Sequence, residues 1–98
     1  MSDVLQELQN WFAKNCNAKW EHQHGVKIET LVNPGWAVAV DLTGTTLAGV
    51  KFQNVDVSRT DDDWIQCRIK SDVFEGFGGI CNLAEILNVF FTWNERGI

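Results

Sequence analysis

Hydrophobic and polar positions follow two different periods along this chain, and the changes of period mark out its elements. Near the start, Leu5, Leu8, Trp11 and Phe12 recur at the spacing of an amphipathic helix. Ser2 is placed to cap that helix, Asp3 and Glu7 suit the positive end of its dipole, and turn formers from Asn15 to Asn17 should end it. The period then falls to two. Val26, Ile28 and Thr30 alternate with Lys27 and Glu29, and Trp36, Val38, Val40 and Leu42 alternate on a second run. Between them, Asn33-Pro34-Gly35 reads as a hairpin turn, with Pro34 presetting φ and Gly35 taking positive φ at the third position.

Further along, a third strand is predicted within residues 50–59, with Val55 and Val57 on one face. Phe52 is out of phase with them, so a bulge or break is expected near Asn54. Asp61-Asp62 reads as a turn into a fourth strand over 64–70, where Ile65, Cys67 and Ile69 oppose Trp64, Gln66 and Arg68. A short fifth strand over 73–77 runs into Gly76-Phe77-Gly78-Gly79, read as a strand-to-helix connection. Asn82 with Glu85 approximates a capping box for a second helix, whose Leu83, Ile86, Leu87 and Phe90 form one face. The expected class is α+β: a single domain over residues 1–98. It is an antiparallel meander of four or five strands with the N- and C-terminal helices packed on one face. Trp11, Phe12, Leu87 and Phe90 are the expected core.

Charge narrows the partner class. The net charge of −5 argues against nucleic acid, whose phosphates need a lysine and arginine stripe, and suits a basic partner. Five tryptophans and six phenylalanines with no tyrosine make an aromatic-rich chain that must either bury its rings or use them for binding. Met1-Ser2-Asp3-Val4 has none of the basic and apolar character of a signal peptide, and no apolar run is long enough to span a bilayer. Cys16, Cys67 and Cys81 are odd in number and lack C-x-x-C spacing, which fits free thiols in the cytoplasm.

Candidate chemistry is sparse. Cys16, Glu21, His22 and His24 could offer metal ligands, since His22 and His24 flank Gln23 and would point the same way on an extended segment, but no second ligand cluster accompanies them. Cys16 with His22 and His24 is the alternative enzyme-like or ligand-binding set. Cys67, among apolar neighbours, reads as core, whereas Cys81 precedes a helix whose dipole could lower a thiol pKa. The glycine-rich stretch lacks the Lys-Ser/Thr of a phosphate-binding loop. Asp61-Asp62-Asp63 lacks calcium-loop spacing and reads as a solvated turn or an acidic patch for a basic partner. No catalytic set and no cofactor are expected. If the helices cover the Ile65, Cys67 and Ile69 face, then Trp64, Gln66 and Arg68 turn outward beside Asp61, Asp62 and Asp63. Trp20, Glu21 and His22 are candidates to extend that surface.

The order of motifs resembles the immunity protein 53 family of bacterial polymorphic toxin systems. Leu8-Gln9-Asn10-Trp11, Trp20-Glu21-His22, the run from Gly25 to Leu31 and Asn33-Pro34-Gly35-Trp36 carry the likeness in the first half. Asp41-Leu42, Asp63-Trp64-Ile65, Cys67, Phe74-Glu75-Gly76, Gly78-Gly79, Asn82-Leu83, Glu85-Ile86-Leu87, Phe90 and Trp93 continue it. The chain departs from the family's pattern at Ile80-Cys81, where a proline-containing turn is expected, and at Asn17-Ala18-Lys19, where an acidic Asp-Gly loop is usual. The resemblance implies a small, non-enzymatic cytoplasmic protein encoded beside a toxin, which binds and neutralises the toxin's C-terminal domain. It brings no catalytic residues with it. A homodimer is left open.

Overall fold

A computed structural model describes residues 3–96. The elements in chain order are α1 (Val4–Asn15), α2 (Trp20–Gln23), β1 (Val26–Leu31), β2 (Gly35–Asp41), β3 (Val55–Thr60), β4 (Asp63–Lys70), β5 (Val73–Gly78) and α3 (Leu83–Arg96). The architecture is α+β, with one five-stranded sheet that is antiparallel throughout.

The strand order departs from a sequential meander. It runs β1-β2-β5-β4-β3, so the last strand lies at the centre between the two hairpins. The polar β1 and β3 take the edges, and β2, β5 and β4 each have neighbours on both sides. Residues 42–54 carry the chain from β2 to the far edge and contribute Leu42 and Leu47 to the core. The break expected near Asn54 is there: β3 begins at Val55, and Phe52 packs edge-on against Phe74 and Trp93.

Burial alternates along the central strands. Val38, Val40, Ile65, Cys67 and Phe74 face the helices, and Ile86, Leu87 and Phe90 of α3 meet them there. The helix α3 comes close to β4 and β5, while α1 lies against α3 and reaches the core chiefly through Trp11. Trp11 sits edge-to-face on both Trp20 and Phe90.

Several local expectations change. Phe12 is not a core residue; it is 37% exposed. It follows Trp11 by one residue, about 100° around the helix, so the two rings cannot both point inward. Phe12 rests instead on the rim, against Trp20 and Gly25. Ser2 lies outside the described residues, and Asp3 is the N-cap of α1, its carboxylate accepting the Leu5 amide at 3.0 Å. Gly35 does not adopt positive φ. It is required by close approach, since a Cβ there would collide with the Gly78 carbonyl oxygen of β5. The left-handed turn lies elsewhere, at Ser71 and Asp72, whose φ values of 52° and 60° fit the two-residue hairpin between β4 and β5. Gly76 and Gly78 belong to β5 and not to a loop; a Cβ on either would press into Ile86 of α3. The glycine-rich run is therefore helix–sheet packing.

Candidate functional site

The helices cover one sheet face, and the alternation that buries Ile65 and Cys67 turns every second residue of each strand to the other. Two cross-strand rows form the middle of that open face. One runs Lys27, Ala39, Glu75, Arg68, and the other runs Glu29, Ala37, Phe77, Gln66, Asp56. Its centre is apolar, formed by Ala37, Ala39 and Phe77. Its flanks carry ion pairs: Lys27 with Glu29 at 2.8 Å, and Arg68 with Glu75 at 2.7 Å. The Arg68 guanidinium also lies 5.8 Å from the centre of the Phe77 ring. Phe77 borders a shallow depression on each side and forms the ridge between them. Gln66 and Arg68 are exposed on this face, and Trp64 is half-buried at its end.

The turn between β3 and β4 forms the rim. Thr60 Oγ1 accepts the Asp62 amide at 3.2 Å. Asp63 is committed: Arg59 lies 3.0 Å away, and Asn82 Nδ2 donates to it at 2.9 Å. The Arg59 bond, then the Asn82 bond, hold the Asp63 carboxyl below its ordinary pKa. Arg59 is shared with Glu85 at 2.6 Å, and both carboxylates raise its pKa. Asp61 and Asp62 are exposed and form no ion pair among the described residues. Of the three aspartates, two present free charge.

Trp20, Glu21 and His22 lie elsewhere. They form α2, which leads into the start of β1 beside Asp41, whereas the acidic turn lies at the Gly35 and Gly78 end of the sheet. Trp20 is buried, 7% exposed, and its indole N–H donates to the Thr43 carbonyl at 2.8 Å, so its ring belongs to the core and not to a binding surface. Asn17 fixes this tryptophan by accepting the Trp20 amide at 2.8 Å. Glu21 is half-buried and accepts the amides of Asn17 and Ala18 at 2.9 and 2.8 Å. Its pKa is lowered, first by its own backbone amide and then by that of Asn17. His22 is exposed.

The two histidines do not act as a pair. A single helical turn and the extended residue after it separate their surroundings, and His24 Nδ1 lies 2.6 Å from Asp41 Oδ2. Burial would raise the Asp41 pKa, but the Thr43 amide and His24 outweigh it, and the net shift is downward. Cys16 is half-buried after α1, its thiol pushed up by desolvation and then by Glu21. Burial pushes Cys67 up to about 12, while Cys81 is exposed. Among the described residues, no group of three or more His, Cys, Asp or Glu side chains is placed to hold a metal ion. No described helix is long and apolar enough to cross a membrane.

Sequence reasoning missed Phe77, Glu75, Ala37 and Ala39. The usable signal was the alternation Val73, Glu75, Phe77 against Phe74, Gly76, Gly78, which lies within the predicted fifth strand and continues one residue past its expected end.

The family model described as immunity protein 53 matches residues 5–95. No curated protein and no solved structure matches this chain.

Proposed function

The chain belongs to the immunity protein 53 family, and from that premise we propose that it binds and neutralises the C-terminal toxin domain of a bacterial polymorphic toxin system. It acts as one domain in the cytoplasm, by binding and without catalysis or cofactor. The observation that carries the reading is the family match over nearly the whole chain. The docking surface is the open sheet face with the acidic turn on its rim. In its favour are an apolar centre ringed by charge, an outward Trp64, and the uncompensated Asp61 and Asp62. Interfaces of this type concentrate their energy in one or two aromatic anchors. The net charge of −5 favours a basic toxin domain, because complementary charge speeds encounter. A small enzyme or metal-binding domain built on Cys16, His22 and His24 draws no support from a His24 engaged with Asp41 and a Cys16 thiol held protonated.

The test pairs this protein with the toxin domain encoded beside it. Trp64→Ala combined with Asp62→Lys should weaken binding at least about tenfold, which corresponds to about 1.4 kcal/mol. The melting temperature should barely move. Titration calorimetry measures the first and a thermal melt the second. Unchanged affinity in the folded double variant would move the docking site off this surface. Wild-type protein that neither binds the toxin domain nor rescues growth on co-expression would end the reading itself.

A further inference from the structure

Three connections meet at one end of the sheet. They are the β1–β2 tip at residues 32–34, the acidic turn between β3 and β4, and the link from β5 to α3 at residues 79–82. The link is tied to the acidic turn and to β2. Trp36 donates its indole N–H to the Ile80 carbonyl at 2.8 Å, which joins β2 to the link. The Gly79 amide donates to the Trp64 carbonyl at 3.1 Å, and the Asp62 carbonyl packs so tightly on Gly79 that a Cβ there would collide with it. Asn82 Nδ2 completes the tie by donating to Asp63 at 2.9 Å.

This braced end carries two aliphatic side chains that nothing in the fold requires to be there. Val32 is fully exposed at 104%, and Ile80 is half-exposed at 50%, while Trp36 beside it is only half-buried. A lone exposed aliphatic is ordinary. Here two stand on separate connections at the end of the sheet that also carries the free carboxylates of Asp61 and Asp62. Arg59, the cation nearest the turn, is spent on Asp63 and Glu85, so the unpaired charge here is that of Asp61 and Asp62. Asn82 lies beneath this end of the sheet. The residue is 5% exposed, and its Oδ1 is buried without a hydrogen-bond partner, close against Gly79 where the turn and the link meet.

We propose that this end of the sheet extends the docking surface for a basic protein partner, with Val32 and Ile80 as apolar anchors and Asp61 and Asp62 as the steering charges. The proposal rests on the reading of the chain as a toxin inhibitor and deepens it, because it adds a second set of contacts to the open sheet face. The occupant is a cationic patch of the toxin domain with an apolar centre. Complementary charge selects it, and the link and the acidic turn, already fixed to each other, lose little conformational freedom when it binds.

The experiment uses the full chain and the toxin domain encoded beside it. Val32→Ser with Ile80→Ser should weaken binding at least about tenfold and leave the melting temperature within a few degrees, because both side chains already face solvent. Asp61→Asn with Asp62→Asn should slow association and flatten its dependence on salt, with little change in dissociation. Wild-type affinity in the serine variant, whether or not the Trp64 and Asp62 double variant is impaired, would overturn this extension while leaving the inhibitor reading standing. So would a serine variant whose only defect is loss of a homodimer seen for the free wild type. A wild-type protein with no affinity for the toxin domain would end both, and the two failures are thereby told apart.

Discussion

Phe90 shows how one residue can hold several elements. Its ring is 0% exposed and meets Trp11 of α1 at 5.4 Å, Phe74 of β5 at 5.1 Å and its neighbour Phe91 at 5.1 Å, all edge-on or steeply tilted. Removing it would leave a cavity bordered by a helix on one side and the central strand on the other, neither of which can collapse far. Phe90→Ala should cost about 3–5 kcal/mol, a large part of the roughly 5–15 kcal/mol that holds such a domain together. Denaturant melts would measure it, and an unchanged midpoint would contradict the packing. The tryptophans divide the other way. Trp20, Trp36 and Trp93 each give an indole N–H to a loop carbonyl, at Thr43, Ile80 and Lys51, with all three bonds at 2.8 Å. Trp20 is buried and Trp36 and Trp93 are half-buried, and each pins a connection that has no ladder of its own. All three pack on the helix-covered side and not on the open face, so a count of tryptophans says little about binding.

Elements are held together here by what the central strand omits. Because Gly76 and Gly78 carry no side chain, Ile86 of α3 can press onto β5, and the helix seats directly on the sheet. Gly76→Ala would drive a methyl into Ile86 and also crowd Phe74 at 3.2 Å, so α3 would have to lift or the rings shift. Overpacking of this kind typically costs about 1–3 kcal/mol. The variant should melt lower than wild type and expose Trp11 and Phe90 to quenchers; no change in either signal would show that the helix can slide. Between α3 and the β3–β4 hairpin, the tie is polar. Asn82 bridges Asp63 and Glu85, at 2.9 Å to each, and Arg59 closes the ring. The capping box expected at Asn82 and Glu85 thus appears as a side-chain bridge that also reaches the neighbouring hairpin.

For the whole molecule, the carboxylates set the acid limit of stability. Asp41, Asp63 and Glu21 all have folded pKa values below their ordinary ones. Groups shifted this way contribute stability that is fully present above the unfolded pKa, roughly 4, and is lost as pH falls through the lower folded value. In that window the unfolded chain binds more protons, so mass action favours it. Melting temperature should be nearly flat from about pH 6 to 5 for these groups and should fall as pH drops below about 4. Asp41→Asn with Asp63→Asn should lower the neutral-pH value and flatten the acid limb. A melting temperature that rises below about pH 4 would reverse the sign and refute the assignment.

How much of this was legible follows from the range of each interaction. The elements were readable because their signals are local: Val26, Ile28 and Thr30 alternate over five residues, and Leu83, Ile86, Leu87 and Phe90 recur on one helix face, whatever the rest of the chain does. The outward turn of Gln66 and Arg68 followed from the same alternation, so one strand's share of the candidate surface could be named from that strand alone. By itself, then, the sequence determined the α+β class, the break before β3, the faces of β4 and the immunity-family pattern of motifs. Pairings between distant residues were decided only in three dimensions. Insertion of β5 between β2 and β4 places Phe77 at the middle of the open face, and no local pattern encodes which strands adjoin. Burial of Trp20 depends on Asn17 and on a carbonyl at Thr43, and the placing of Val32 and Ile80 at the same end of the sheet depends on separate strand registers. Alternation and helical period act over a few residues and survive any topology. Strand order and loop convergence come from burying all the apolar faces at once, which is a property of the whole chain.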